Sequence, residues 1–192
     1  MKIGVLGGTF DPIHVAHLLL AEQAREQLDL DKVLFVPAGD PWRKASRRVA
    51  PAKHRLAMTR LAVEHDPGFV VDECEVMREG PSYTVDTLRE LANRFSKDEI
   101  YLLLGEDALA DLPFWHEPAQ IADHATVVVA PRGGVVLPEL PFDAERVLRI
   151  KMPYMDVSST DLRERARHGK SLRYLVPDPV IAYIDEHKVY AL

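Results

Sequence analysis

The chain has 192 residues, with 24 Lys+Arg against 30 Asp+Glu and a formal net charge of −6. Hydrophobic residues make up 47% and charged residues 28%, the composition of a folded globular protein, which excludes disordered, collagen-like and coiled-coil chains. The acidic balance argues against a protein that coats nucleic acid, but leaves room for a local basic site for a small anion.

The only cysteine, Cys74, excludes an intramolecular disulfide and a cysteine-based zinc cluster. The N-terminal MKIGVLGGTF lacks the apolar run of a signal peptide, and nothing is long and apolar enough to span a membrane. The expected location is the cytoplasm. The length suits one domain over residues 1–192, with a helical C-terminal part at about 157–192.

Residues 2–6 read as a buried strand ended by Gly7 and Gly8. Helical spacing of apolar residues follows over 15–28, and 32–36 (KVLFV) is a second strand. Residues 37–50 read as a loop, 51–65 as a helix with Pro51 near its first turn, and 69–72 as a strand. Val85, Leu88, Leu91, Ala92 and Phe95 share one face of a helix over 84–95. A strand at 100–104, short helices within 106–122, a strand at 125–130 and a loop over 131–143 follow. A last strand at 147–150 precedes helices at 159–168 and 178–187. Strands alternating with helices predict a Rossmann-like α/β fold. It is doubly wound, with a mostly parallel sheet, helices on both faces and a small C-terminal helical extension. Such sheets bind ligands beyond the carboxyl ends of their strands.

Three stretches carry chemistry. GGTFDPIHVAH (7–17) lies between the first strand and the first helix. Its glycines allow tight turning and close approach of backbone to a ligand. His14 and His17, three apart at a helix N-terminus, predict a compact phosphate-binding surface. A metal held by Asp11, His14 and His17 is the alternative, disfavoured because helical zinc pairs use i, i+4 spacing. No protein-held metal is expected. The stretch lacks the G-x-G-x-x-G of dinucleotide-binding folds, and the late Gly169-Lys170-Ser171 has Glu164 where a P-loop needs glycine.

The second stretch, 41–63, holds seven Lys/Arg and no acid. It predicts a basic loop able to close on a triphosphate. The third, VSSTDLRERAR (157–167), offers Ser158, Ser159 and Thr160 as helix caps, with Arg163 one turn inside. With the first stretch it forms a second phosphate clamp of hydroxyls, amide groups and a guanidinium.

GGTFDPIHVAH with a late SSTDLR resembles the HxGH nucleotidyltransferase superfamily, with Ala16 in place of the usual glycine. PAGDPWRK (37–44), EGPSYTVDTL (79–88), GEDALADLPFW (105–115) and SLRYLVPDPVIAYI (171–184) are similar to its bacterial nicotinate-mononucleotide adenylyltransferase branch. The pantetheine-phosphate adenylyltransferases share the start and the SST end, but give no reason for GPSYTVDTL. A non-catalytic nucleotide sensor on the same fold is the other alternative.

The resemblance implies that ATP and nicotinate mononucleotide yield deamido-NAD and pyrophosphate, with Mg²⁺ arriving on ATP. It implies that His14, His17, Lys44 and Arg163 are the catalytic groups. Gly8, Thr9, Phe10, Gly105, Asp107, Ser158 and Ser159 would bind ATP. Thr84, Trp115 and Arg132 would bind the mononucleotide. No nucleic-acid or membrane partner is expected, and homo-oligomerisation stays open. One departure stands out: His116 follows Trp115 where relatives often carry a second aromatic residue.

Overall fold

The computed structural model describes residues 1–42, 49–131 and 139–191. Six strands form one sheet: β1 (Lys2–Gly8), β2 (Lys32–Pro37), β3 (Phe69–Val71), β4 (Glu99–Gly105), β5 (Thr126–Ala130) and β6 (Val147–Arg149). Their order is β3-β2-β1-β4-β5-β6, and every neighbouring pair is parallel. The chain order reverses at β1, so a crevice opens between β1 and β4 at the carboxyl ends of the strands.

Side-chain alternation separates two cores. Val33 and Phe35 of β2 face one layer, Leu34 and Val36 the other, and all four are buried. The first layer packs on α1 (Val15–Leu28), α2 (Ala52–Val63), α7 (Ser159–Arg167) and α8 (Asp178–His187). The second packs on α4 (Thr84–Arg94), α5 (Glu106–Asp111) and α6 (Ile121–His124). Val85, Leu88 and Leu91 of α4 are fully buried, as their spacing predicts. Alternation of helices between the two faces is what makes the sheet doubly wound. Among the described residues no helix is long and apolar enough to cross a membrane.

Two details differ from the sequence reading. The four-residue α3 (Cys74–Met77) was not predicted; one turn is too short to show a period. Gly7 and Gly8 do not end β1 but extend it, pairing with Val36 and Pro37. The left-handed residue of the motif is Phe10, with φ 49°. Its buried ring packs edge-on to His17 at 5.1 Å and tilted against Phe35 at 6.0 Å. A Cβ on Gly8 would stand 2.8 Å from that ring, so this glycine serves packing rather than turning. Cys74 is half-buried, and burial, helped by Asp72, pushes its thiol up to about 12, which keeps it protonated and inert at neutral pH.

Where α2 meets α8, His54 Nδ1 lies 3.0 Å from the Tyr183 hydroxyl, and Tyr183 stacks on His187 at 4.1 Å. Burial, then the charges of Lys53 and His187, hold His54 below the ordinary histidine value. The unfolded chain therefore binds this proton more readily, and stability falls as pH drops below about 6.5. The melting temperature of the wild type is expected to fall between about pH 7 and 5, and His54→Asn to fall less steeply. Equal slopes for the two proteins would remove His54 as a cause.

Candidate active site

β1 delivers the chain to the centre of the crevice, and α1 leaves from it. His14 is the N-cap of α1, in extended conformation (φ −149°, ψ 170°), and His17 is the third residue of the helix. The two histidines thus meet through the cap rather than along one helical face. Their rings stack at 3.7 Å with a 28° interplanar angle. The His14 backbone N–H donates to His17 Nδ1 at 3.2 Å. An Nδ1 that accepts carries no proton, so the neutral His17 ring presents its proton on Nε2.

His14 and His17 line a cavity of about 370 Å³. Across it stand Ser158, Ser159 and Arg163 at the start of α7, with Gly105 and Asp107 at the start of α5. The late serine pair and the early histidines, far apart in sequence, therefore share one mouth. Ser158 caps α7, its Oγ accepting from the Asp161 N–H at 3.1 Å. The Ser159 hydroxyl donates to the Pro12 carbonyl at 3.0 Å. Arg163 Nη1 donates to the Asp11 carbonyl at 2.9 Å and lies 3.7 Å from its carboxylate.

A second cavity, of about 640 Å³, adjoins the first. Gly7, Thr9, Leu104, Asp107 and Ala108 line both. Thr84, the first residue of α4, and Trp115 lie on its wall, as does Gly8. Phe10 lines neither cavity; its side chain is buried in the core. Lys44 and Arg132 fall outside the described residues, so the basic segment is seen only in part. Of its remaining cations, Lys53 is exposed, Arg55 is buried and Arg60 pairs with Glu73. Neither Arg55 nor Arg60 lines the phosphate-type cavity.

Several residues here had no place in the sequence reading. Tyr83, the N-cap of α4, stacks on His116 at 4.2 Å and 24°, and meets Trp42 edge-on at 5.5 Å. His116, the departure noted in the sequence, thus places a ring stacked on Tyr83 in the wall of this cavity. Glu75, buried in the same wall, accepts from the Thr87 hydroxyl at 2.7 Å. Burial pushes its carboxyl above the usual range, against the pull of Thr87, Ser82, Arg78 and Arg55. Tyr190, near the C-terminus, donates its hydroxyl to Asp11 Oδ1 at 2.8 Å. Burial, then the negative Asp11, raises the Tyr190 hydroxyl's pKa, so the donor keeps its proton. A lone polar residue on an apolar helix face was the available signal for Arg55; Tyr190 gave none.

Among the described residues, no group of three His, Cys, Asp or Glu side chains is placed to hold a metal ion. The Asp107 carboxylate and the Thr9 hydroxyl on the shared wall are hard oxygen donors, and such donors fit a hydrated Mg²⁺ that keeps most of its ligands from water and phosphate.

Residues 5–165 match the model of the cytidylyltransferase-like family. The chain is 48% identical over 194 residues to a probable nicotinate-nucleotide adenylyltransferase of Roseiflexus sp. (strain RS-1), covering 98% of this chain and 97% of that one. It is 47% identical over 190 residues to a Thermus thermophilus protein of the same description, covering 99% and 100%. Among solved structures, the Plasmodium falciparum nicotinic acid mononucleotide adenylyltransferase in complex with NaAD superposes with a TM-score of 0.80 at 17% identity, covering 98% of this chain and 97% of that one. At that identity the likeness concerns the fold.

Proposed function

This chain belongs to the cytidylyltransferase-like family and, within it, to the nicotinate-nucleotide adenylyltransferases, and we propose that it joins ATP to nicotinate mononucleotide, giving deamido-NAD and pyrophosphate. One observation carries the reading beyond kinship. A cavity rimmed by imidazoles, hydroxyls and a guanidinium shares a wall with a second cavity rimmed by aromatic rings and a helix N-terminus. That arrangement suits one substrate with a polyphosphate and another with a flat ring.

The nucleophile is an oxygen of the mononucleotide phosphate, whose second pKa is about 6, so it is ionised at pH 7 and needs no base. It bonds to the α-phosphorus of ATP while the bond from that phosphorus to the bridging oxygen breaks, and pyrophosphate departs. The barrier is charge: two polyanions must meet in line. Arg163 and Lys44 act as donors and counter-charges on the phosphates, His14 and His17 act as N–H donors, and the N-terminus of α7 adds the Ser158 hydroxyl and the amides of the Ser158 and Ser159 segment. Mg²⁺ carried on ATP supplies further charge neutralisation. Of the ATP-binding segment Gly8–Phe10, Thr9 meets the phosphates, Gly8 borders the ring cavity and Phe10 supports the turn from the core, while Gly105 and Asp107 hold the nucleoside side.

The pyridine ring lies in the second cavity against Trp115, with the Tyr83–His116 stack as its flat neighbour. Its carboxylate takes the Thr84 hydroxyl and the free amides of α4. Arg132 assists at the mononucleotide.

The purified protein, given Mg-ATP and each pyridine mononucleotide in turn, is expected to form deamido-NAD, identified by mass, with a clear kcat/KM preference over nicotinamide mononucleotide. No dinucleotide would overturn the reaction; equal kcat/KM values would overturn the carboxylate contact.

A further inference from the structure

Arg55 is 1% exposed and lies on the buried face of α2 with Leu56, Met58 and Thr59. Its guanidinium donates three times to backbone carbonyls: Nε to Ala50 at 2.9 Å, Nη1 to Thr9 at 2.9 Å and Nη2 to Gly39 at 3.0 Å. These carbonyls belong to three separate segments. Thr9 follows β1 and lines both cavities. Gly39 follows β2, beside Ala38 in the wall of the aromatic cavity. Ala50 leads into α2 from the basic segment, beside Val49 in the wall of the phosphate-type cavity.

Burying a cation is costly, and neutral carbonyls compensate it only in part. Burial pulls the Arg55 guanidinium below its ordinary value, with Asp11, Tyr190 and Glu75 opposing that pull. An apolar side chain of similar volume would fill the same space at lower cost. What such a side chain cannot do is hold three carbonyls at a fixed mutual spacing. The planar guanidinium does so, because its donors point in rigid, diverging directions.

We propose that Arg55 is a positioning residue for adenylyl transfer: it pins the turns after β1 and β2 and the entry to α2 to one another, and so sets the distance between the phosphate cavity and the ring cavity. The proposal rests on the reaction described above. A two-substrate displacement is unusually sensitive to that distance, since a misplacement of about 1 Å costs about 10²-fold in rate.

The test uses Arg55→Lys, Arg55→Met and Arg55→Ala in the full chain, with melting curves for each and with kcat and both KM values measured below the unfolding range. In the folded variants kcat is expected to fall about 10²-fold, while each KM moves by less than about threefold. Arg55→Lys keeps the charge without the fork and should recover little. Methylguanidinium at millimolar concentration should restore about tenfold of kcat to Arg55→Ala and leave the wild type unchanged, as a cavity left by a lost guanidinium allows. Folded variants with wild-type kcat would overturn the proposal. So would a loss of kcat that only follows the folded fraction, or failure of all three to fold at any temperature, either of which assigns Arg55 to stability alone. A wild type that makes no dinucleotide would instead overturn the reaction, and this inference with it.

Discussion

His14→Ala is expected to lower kcat by about 10²–10³, or ~2.7–4 kcal/mol of transition-state stabilisation, and His14→Asn by distinctly less. His14 is the N-cap residue of α1, and its imidazole lines the phosphate-type cavity, 2% exposed and stacked on His17. If the ring works by donating an N–H to a phosphate oxygen as charge shifts toward pyrophosphate, an amide of similar reach replaces part of that donation. If it works by removing a proton, asparagine is as useless as alanine. The hydrogen bond inside the pair supports donation for its partner: His17 Nδ1 is occupied as an acceptor, which leaves Nε2–H as the outward group. Rapid-quench measurement of the first turnover, together with steady-state kcat and melting curves, separates the two. Equal losses in the alanine and asparagine variants would sink the donor role.

The alternation of strands with helices was legible because hydrophobic periodicity follows burial, and two-sided burial is what a doubly wound sheet imposes. After Lys32 the β2 run VLFVP is apolar throughout because one residue faces each layer in turn. The gathering of His14, His17, Ser158, Ser159 and Arg163 at one mouth was legible for a different reason. Each sits at a helix start that follows the carboxyl end of the sheet, where topology leaves little freedom. Contacts without a local pattern were not legible. Tyr190 and Asp11 are 179 residues apart, and their hydrogen bond needs the whole first layer to assemble. Arg55 was hidden by its neighbours: among seven cations it read as one more charge of a basic loop able to close on a triphosphate, although its place among Leu56, Met58 and Val63 put it on the buried face. His116 was visible as a departure, but only the Tyr83 ring stacked on it shows what the departure does.

Among the described glycines, Gly39→Ala is expected to be the most damaging single-methyl change. A Cβ at this position would stand 2.1 Å from the Glu75 carbonyl oxygen, 2.9 Å from its carbon and 3.2 Å from the Val76 Cα. All three are backbone atoms of α3, so no side chain can swing aside, and either α3 or the turn after β2 must move. The same turn is held from two sides. The Gly39 N–H donates to Ser82 Oγ at 2.9 Å, and its carbonyl accepts from Arg55 Nη2 at 3.0 Å. Displacement lengthens both bonds and leaves a buried arginine donor short of a partner. Overpacking of about 1–3 kcal/mol and an unsatisfied buried group of about 1–3 kcal/mol together set the scale. For a chain of this size each kcal/mol moves the melting temperature by about 2–4 °C, so a drop of roughly 5–20 °C is expected. The wall of the aromatic cavity moves with the turn, so KM for nicotinate mononucleotide should rise more than KM for ATP. Gly105→Ala provides the contrast. A Cβ there meets nothing within 4 Å and enters the phosphate-type cavity, so it should leave melting unchanged and raise KM for ATP. Gly39→Ala with an unchanged melting temperature, or with the larger KM change on ATP, would show that the turn yields without disturbing the pocket it borders.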